Sequence, residues 1–367
     1  MRSEPDTKFM RQAARLAMRP RQSTSPNPRV GALLVKDGQI VGQGWHRGPG
    51  TPHAEVVAID AAGDVALGST LYVTLEPCSH HGRTPPCIDK IISSRIGRVV
   101  AGVSDPDPKV NGAGIEALRN AGVEVDLLES TDLTKGLYRA YITQRRLGRP
   151  FVTYKTAVSL DGRTSAADGT SQWISGEESR LDAHRLRAAS DAIAVGIGTV
   201  LEDDPSLTVR GLTRPAKPKR IVFDSSARTP TTSKILSEGS PTIIVTSTDA
   251  PEGRVEELTA KGSTVIRVPP AGTHIDLARS LRMLADEGVV SMLLEGGPVL
   301  AGAFQALGAI DLYVFYVSAC LLGDGDAPPM KGWRAESIQE KVRLRTLGVR
   351  RLGEDIRIDA EPKRGDS

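Results

Sequence analysis

The sequence predicts an α/β protein of two domains, and three observations carry this prediction. The chain has 367 residues, more than one typical domain holds. Short apolar runs of strand length alternate with segments of helical periodicity, which is typical of sheets covered by helices. A basic helix end at residues 145–147 is followed by Gly148 and Pro150, a combination that stops a helix. We therefore expect domains over residues 1–148 and 149–362, with a polar tail at 363–367.

The composition narrows the class of function. Hydrophobic residues make up 39% and charged residues 25% of the chain, as in ordinary folded proteins. A net charge of +3 and an aromatic content of 4% give no reason to expect a nucleic-acid partner. The chain has neither an apolar run long enough for a membrane span nor the apolar core of a secretory signal. Three cysteines, an odd number, favour a reducing compartment, and we expect the cytoplasm.

The first domain is expected to form an α/β/α sandwich. Its first helix carries an apolar stripe, and a D-G turn joins its first two strands. The helix that opens at His53 and the helix that begins at Cys87 each follow a loop. In order, we predict a helix at 8–21, strands at 31–35 and 40–45, a helix at 53–62, a strand at 69–75, a helix at 88–95, a strand at 98–103, a helix at 114–121, a strand at 123–127 and a helix at 133–147.

Three short motifs in this domain predict a catalytic zinc site. They are H-A-E at 53–55, T-L-E-P-C at 74–78 and P-P-C at 85–87. One imidazole (His53) and two thiols (Cys78 and Cys87) leave a fourth zinc position open for water, as catalytic sites do. A nearby carboxylate that is not a ligand, Glu55, could then transfer protons. This order of motifs is the pattern of zinc nucleobase deaminases.

The spacing of the two cysteines leaves an alternative open. Eight residues separate Cys78 from Cys87, and a bare pair at this spacing is weak evidence for a metal. The alternative is that both are buried thiols and that His53 only caps a helix. The proline before each cysteine and the upstream H-A-E favour zinc. His46, His80 and His81 are either substrate contacts or plain loop histidines, and Arg83 is a candidate anion contact.

The second domain shows the same alternation. Its glycine-containing segments lie where strands meet helices. In order, we predict a strand at 151–158, a turn at 159–163, a polar loop at 170–175, a helix at 177–189, a strand at 191–195 that runs into a segment with no assigned element at 196–210, strands at 220–223, 242–246 and 264–268, a helix at 275–287, a strand at 291–294, a helix at 299–307, and final strands at 312–319 and within 344–359.

Glycine pairs in the chain suggest phosphate sites of unequal strength. E-G-G-P at 295–298 stands between a strand and a helix N-terminus, a layout that lets a phosphate approach the backbone. Gly196 and Gly198 lack the third glycine of a dinucleotide fingerprint. The G-x-G at 112–114 stands too far behind its strand for that fingerprint, and we expect a substrate-facing loop there. Arg187 and Arg210 either grip a phosphate or are solvated surface residues.

The first half resembles the deaminase part of the bifunctional riboflavin-biosynthesis deaminase–reductase family. The resemblance rests on N-P-R-V-G-A at 27–32, the zinc motifs with their long insert at 79–86, and D-P at 105–106 with the G-x-G. It implies a cytidine-deaminase-like fold, zinc on His53, Cys78 and Cys87, Glu55 as proton donor and Asn27 in the base pocket. The implied substrate is a pyrimidine with a ribosylamino 5′-phosphate that loses an amino group as ammonia.

The second half resembles the reductase part of the same family. The matching stretches are K-x-A-x-S-L-D-G-R at 155–163, S-Q-W at 171–173, residues 196–210 and E-G-G-P. The resemblance implies a dihydrofolate-reductase-like fold, reduction of the ribosyl group to ribityl by NADPH, and a homo-oligomer. The implied NADPH contacts are Val158, Trp173, Thr199, Asp203 and Gly297. The implied substrate contacts are Ser171, Arg187, Leu207, Arg210 and Glu295. Lys155 and Asp203 are candidates for proton transfer.

Two departures from the family pattern affect no named catalytic group. D-L-Y at 311–313 stands where an acidic pair is common, and Ala319 precedes Cys320 where a proline is common. The sequence therefore predicts a bifunctional enzyme that uses zinc and NADPH. One alternative is a chain whose reductase half works alone on a related ribosylated pyrimidine. Another is a catalytically inactive binding protein, which zinc content and ammonia release would distinguish.

Overall fold

A computed structural model describes residues 4–20, 24–80, 84–107, 110–128, 132–213, 216–237, 239–272 and 274–363. The chain divides into two compact units, Met1–Gly148 and Arg149–Ser367. Among the described residues, no helix has the length and apolar character needed to cross a membrane.

The first unit contains a five-stranded sheet with the strand order β2-β1-β3-β4-β5. The pairs β2–β1 and β1–β3 are antiparallel, whereas β3–β4 and β4–β5 are parallel. The strands are β1 Gly31–Lys36, β2 Gln39–Trp45, β3 Thr70–Val73, β4 Arg98–Ala101 and β5 Glu124–Leu127. The helices are α1 Glu4–Ala17, α2 Ala54–Ala62, α3 Cys87–Ser93, α4 Ala113–Asn120 and α5 Asp132–Leu147.

Both faces of this sheet are covered by helices. Along β1, Leu34 packs into a cluster with residues of α2, α3 and α4, whereas Leu33 packs into a cluster with residues of α1. This alternation follows from the two-residue period of a strand. Burying a leucine side chain contributes about 1.5–3 kcal/mol, so both faces add to stability. The α/β/α sandwich predicted for this half is confirmed.

Helix α2 lies in direct contact with β2 because two glycines remove the side chains between them. A Cβ added at Gly44 would lie 2.1 Å from the carbonyl oxygen of Ala54, and one added at Gly42 would lie 2.2 Å from that of Ala58. Any side chain at either glycine would push the helix away from the sheet. The contact therefore sets the position of the helix N-terminus, where His53 is the N-cap residue.

The second unit contains a nine-stranded sheet with the order β10-β9-β8-β7-β13-β6-β14-β16-β15. Its strands are β6 Phe151–Ser159, β7 Ala192–Gly196, β8 Lys219–Phe223, β9 Thr242–Ser247, β10 Thr264–Val268, β13 Ser291–Glu295, β14 Leu312–Ser318, β15 Leu344–Leu352 and β16 Asp355–Pro362, and a separate small ladder pairs β11 Pro270–Ala271 with β12 His274–Ile275. Its helices are α6 Glu177–Ala189, α7 Ile197–Asp203, α8 Glu252–Ala260, α9 Leu277–Asp286 and α10 Pro298–Ala306.

Seven neighbouring strands of the large sheet, from β10 to β14, are parallel, and β16 and β15 add an antiparallel edge. One face packs on α9 and α10 and the other on α7 and α8. The carboxyl ends of the parallel strands meet at one edge of the sheet, which is where ligands bind in such sheets.

Three helices differ most from the sequence predictions. Helix α1 begins at Glu4 rather than at residue 8 and ends at Ala17. Helix α7 was not predicted because Gly196, its N-cap residue, and Gly198, in its first turn, are typical of a loop. Helix α8 was not predicted because Val255 and Leu258 are its only buried residues, too few for an apolar stripe.

Candidate active sites

In the first unit, an imidazole and two thiols form a small triangle. His53 Nδ1 lies 3.0 Å from Cys87 Sγ and 3.5 Å from Cys78 Sγ, and the two sulfurs are 3.4 Å apart. Ligand atoms on a tetrahedral zinc ion stand about 3.5–3.8 Å apart, given bonds of about 2.0–2.3 Å. The set therefore fits zinc with only slight expansion. His53 is a helix cap by position, yet its side chain makes no capping hydrogen bond.

The two thiols share a hydrogen bond that prepares one of them for a metal. The sulfurs of Cys78 and Cys87 share a hydrogen bond of 3.4 Å, and the Cys87 backbone N–H donates to Cys78 Sγ at 3.3 Å. The hydrogen bond to Cys87, with help from His53, lowers the pKa of Cys78 and favours its thiolate form. The same bond raises the pKa of Cys87. Binding of both sulfurs to a metal ion would displace the remaining proton.

Thr84 orients the imidazole. Its Oγ1 lies 3.1 Å from His53 Nε2, on the side of the ring away from the sulfurs. A lone pair on Nδ1 requires the ring proton at Nε2, which then donates to the threonine hydroxyl. Partners of this kind fix the tautomer of metal-binding histidines. The sequence reasoning missed Thr84, although its place in the insert just before Pro85 and Pro86 could have indicated it.

Glu55 lies in the first turn of α2 with its carboxyl group buried. Its side chain is 3% exposed, and its Oε2 has no hydrogen-bond partner among the described residues. Burial raises the pKa of Glu55, against an opposing effect of His53. A buried carboxyl group beside the metal ligands, with Oε2 free of hydrogen bonds from the described residues, is suited to proton transfer.

A cavity of ≈ 380 Å³ opens beside this triangle. Asn27 lines it and donates from Nδ2 to Nε2 of the buried His46, 3.2 Å away. Burial lowers the pKa of His46, so its ring is neutral and serves as a partner for Asn27. His80 also lines the cavity. His81 and Arg83 lie outside the described residues.

The second unit has a cavity of ≈ 1060 Å³ at the carboxyl edge of its sheet. Its lining includes eight residues that the sequence singled out: Lys155, Ser171, Trp173, Arg187, Thr199, Asp203, Arg210 and Gly297. Three others do not line it. Val158 and Leu207 are buried in the protein core at 4% exposure each, and Glu295 is buried behind Arg187.

The glycine pair after β13 forms a tight turn against α7. Gly296 and Gly297 have φ values of 72° and 73°, which favour glycine. A Cβ on either would lie 3.3 Å from Thr199 Oγ1. Helix α10 starts directly afterwards with Pro298. Exposed backbone at a helix N-terminus, in a cavity of this size, fits the phosphates of NADPH.

A buried ion pair stands beneath the cavity. Arg187 donates from Nε and Nη2 to the two carboxylate oxygens of Glu295, both at 2.7 Å, and from Nη1 to the carbonyl oxygen of Thr208. Burial raises the pKa of Glu295, but Arg187 and Lys155 outweigh it and hold that pKa below its usual value. Burial also lowers the pKa of Lys155, with Glu295 opposing the shift. All three arginine nitrogens are therefore engaged inside the protein.

Models of two families match the chain in turn. Residues 3–103 match the cytidine and deoxycytidylate deaminase zinc-binding region, and residues 150–358 match the RibD C-terminal domain.

Relatives match across both halves. A riboflavin biosynthesis protein RibD of Aquifex aeolicus is 41% identical over 97% of this chain and 98% of its own length. The structure of Acinetobacter baumannii RibD superposes with a TM-score of 0.90 at 38% identity, covering 98% of this chain and 99% of that one. A third relative is a diaminohydroxyphosphoribosylaminopyrimidine deaminase/5-amino-6-(5-phosphoribosylamino)uracil reductase of Thermotoga maritima. Its structure superposes with a TM-score of 0.85 at 33% identity, covering 98% of this chain and 99% of that one. The chain therefore belongs to the RibD family of bifunctional riboflavin-biosynthesis enzymes, which join a zinc-dependent deaminase to an NADPH-dependent reductase.

Proposed function

We propose that residues 1–148 deaminate 2,5-diamino-6-ribosylamino-4(3H)-pyrimidinone 5′-phosphate, and that residues 149–362 reduce the ribosyl group of the product to ribityl. The name of the Thermotoga maritima relative supports both substrates. The observation that carries the first step is the buried carboxyl group of Glu55, unpartnered at Oε2 among the described residues, beside His53, Cys78 and Cys87.

In the deaminase, the protein holds the reactants and moves protons. His53, Cys78 and Cys87 would hold zinc, which when bound activates water as a nucleophile near neutral pH. Glu55 accepts a proton from that water and returns one to the departing amino group, which leaves as ammonia. The overall balance is water and an aminopyrimidine in, a pyrimidinone and ammonia out.

Recognition of this substrate needs a base contact and an anion contact. Asn27 uses its Nδ2 for His46, which leaves its Oδ1 for the edge of the pyrimidine ring. His80 lines the same cavity and is the proposed contact for the ribosyl phosphate, together with Arg83 of the insert.

In the reductase, NADPH supplies the hydride. We propose that NADPH is held by Trp173, Thr199, Asp203 and Gly297, which line the cavity, and that Val158 supports them from the core. The substrate would be held by Ser171 and Arg210 directly. The wall of the reductase cavity would be supported by Arg187, Leu207 and Glu295. Arg210 is the proposed phosphate contact, because it lines the cavity and its guanidinium makes no hydrogen bond with a described residue. Lys155, whose pKa is lowered, is the proposed proton donor, with Asp203 as the second candidate.

We further propose that the enzyme works in the cytoplasm as a homo-oligomer and acts on neither nucleic acid nor a membrane. The three free cysteines support a reducing compartment.

The central experiment follows the two activities separately. The zinc-loaded chain is incubated with the ribosylaminopyrimidine phosphate, with and without NADPH, while ammonia and NADPH absorbance are recorded. We expect ammonia in both reactions and NADPH oxidation only after ammonia has appeared. Failure of the chain to take up zinc, an inert zinc-loaded chain, or NADPH oxidation without ammonia would contradict the proposal.

Replacing Glu55 by glutamine tests its role as the proton carrier. Glu55→Gln removes the acid–base group and no metal ligand, so kcat for ammonia release should fall by about 10²–10⁴-fold while zinc stays bound and reduction is unchanged. Asp60→Asn, on the exposed side of the same helix, is the control and should be fully active. Loss of zinc from Glu55→Gln would argue against the assigned role.

A further inference from the structure

The deaminase unit contains a second buried carboxylate, Glu76, whose side chain is 3% exposed. Its Oε2 accepts hydrogen bonds from Ser104 Oγ at 3.0 Å, from the backbone N–H of Asp105 at 3.1 Å and from that of Gly112 at 3.0 Å. These donors come from both ends of the segment that follows β4. One carboxylate oxygen therefore joins Ser104 and Asp105 to Gly112.

The other oxygen binds the first turn of α4. Glu76 Oε1 accepts from the backbone N–H of Gly114 at 3.1 Å and of Ile115 at 3.4 Å. A Cβ on Gly114 would lie 2.0 Å from the carbonyl oxygen of Pro77. The G-x-G motif thus wraps a carboxylate of the chain itself, and the helix N-terminus favours that negative charge. The backbone N–H groups of this motif, which a dinucleotide fingerprint would offer to a phosphate, bind the side chain of Glu76 instead.

Glu76 links this loop to the metal-binding segment. It lies two residues before Cys78 and lines the deaminase cavity together with Asp105. Asp105 accepts a hydrogen bond from the Tyr141 hydroxyl at 3.1 Å and from the backbone N–H of Asp107 at 2.9 Å. One wall of the cavity therefore takes its position from Glu76, whereas two of the three zinc ligands, His53 and Cys87, take theirs from the starts of α2 and α3.

We propose that Glu76 is a positioning residue of the deaminase. Its carboxylate locks Ser104, Asp105 and Gly112, together with the start of α4, onto the metal-binding segment, and so sets where Asp105 meets the pyrimidine. The inference rests on the proposed deamination. Five hydrogen bonds to one charged group give this link its stiffness, since charged acceptors bind more strongly than neutral ones.

Glu76→Gln in the zinc-loaded full chain tests the proposal. Glutamine has the same shape, but its NH2 group would face N–H or O–H donors, so hydrogen bonds are lost without a cavity. We expect KM for the ribosylaminopyrimidine phosphate to rise about 10- to 100-fold, the effect of losing one or two hydrogen bonds to a charged group, while kcat changes less. Zinc content and NADPH-dependent reduction should match the wild type.

Two further variants complete the design. Glu116→Gln changes an exposed glutamate on α4, the helix whose first turn binds Glu76, and should leave KM and kcat unchanged. Ser104→Ala removes the one side-chain donor to Glu76 found among the described residues, and should raise KM several-fold in the same direction. This milder variant decides the question if Glu76→Gln does not fold.

The outcomes separate the inference from the function on which it rests. A selective rise in KM with zinc retained supports it. Unchanged KM in both variants overturns it, and so does a loss of zinc and melting temperature with KM unchanged, which would show a purely structural role. Absence of ammonia from the wild-type chain would overturn the proposed deamination and this inference with it.

Discussion

The hydroxyl of Thr84 decides which nitrogen of His53 faces the two sulfurs. Nδ1 stands within 3.5 Å of both thiols, and Nε2 is held by Thr84. A free imidazole ring can turn and exchange its nitrogens, which makes it a poorer ligand. The threonine removes that freedom before a metal arrives.

Thr84→Val should therefore weaken zinc binding without touching a ligand. The substitution keeps the shape of the side chain and removes the acceptor, and such losses reduce metal affinity about 10- to 100-fold. Competition with a chelator measures the change. Thr84→Ser keeps the hydroxyl and should bind zinc nearly as the wild type does. Equal zinc affinity in the valine variant would show that Thr84 does not orient the ring.

Arg210 and Arg187 look equivalent in the sequence but differ in the structure. Arg187 is committed to Glu295, whereas Arg210 lines the reductase cavity without a hydrogen bond from its guanidinium to a described residue. Arg210→Ala should therefore raise the reductase KM for a phosphorylated substrate about 10- to 100-fold. Arg185→Ala, an exposed arginine on α6, is the control. An equal loss with an unphosphorylated substrate would argue against a phosphate contact.

At the scale of residues, the motifs predicted the side chains that bind a metal or transfer protons. They missed a side chain whose partners are mainly backbone N–H groups. His53, Cys78 and Cys87 stand out because imidazole and thiol ligands have few other reasons to recur in this order. Glu76 did not stand out, because its partners are backbone N–H groups 29 to 39 positions later in the chain and one serine hydroxyl. Such contacts leave no periodic or compositional trace.

At the scale of elements, the sequence predicted the buried strands well because they are continuous apolar runs. β8, β9 and β13 agree with the predicted strands to within a residue or two, and their residues are buried on both faces. Helices α7 and α8 were missed because each is short and buries few side chains. Their helical form depends on packing against the sheet more than on local preference.

The pair between α6 and β13 is expected to hold these two elements together. Glu295→Gln would leave the Arg187 charge buried without its partner, which should lower the free energy of unfolding of the second unit by about 3–5 kcal/mol. Denaturant titration measures the loss. Replacing both residues, as Arg187→Met with Glu295→Leu, should recover much of it. A single glutamine variant as stable as the wild type would show that the charges contribute little.

Acid should weaken the same pair. The pKa of Glu295 is depressed in the folded protein, so its stabilisation is fully present above the ordinary carboxyl pKa of about 4.3 and is lost as pH falls through the lower folded value. The difference in unfolding free energy between wild type and Glu295→Gln should therefore shrink on acidification. A difference that stays constant below that range would contradict the depressed pKa.

At the scale of the whole molecule, each unit carries its own core and its own cavity. Cys87→Ser should release zinc and abolish ammonia formation, because a thiolate ligand is lost. Reduction of the deaminated substrate should continue at nearly the wild-type rate. Cys320→Ser, in the second unit, should preserve both activities. Loss of both activities in a folded Cys87→Ser protein would contradict two separate sites.

The family and the fold class predicted from the sequence are confirmed by relatives that span both halves. Several independent motifs in a fixed order made that prediction specific. The sequence did not predict how deeply each side chain is buried. Val158 and Leu207 were predicted to contact NADPH and the substrate, yet their side chains are buried and do not line the reductase cavity. Burial results from the packing of distant segments, which motif order does not encode.

The glycine contacts between β2 and α2 have a consequence for how this enzyme can change its substrate. With Gly42 and Gly44 at contact distance from the helix backbone, His53 and Glu55 sit on a part of the fold that tolerates almost no displacement. New base specificity in the deaminase must then come from the surrounding loops, at 26–30, 46–52 and 104–107. The residues that carry out deamination would be inherited unchanged while the loops around them vary. The substrate specificity of the deaminase can therefore evolve separately from its chemical reaction.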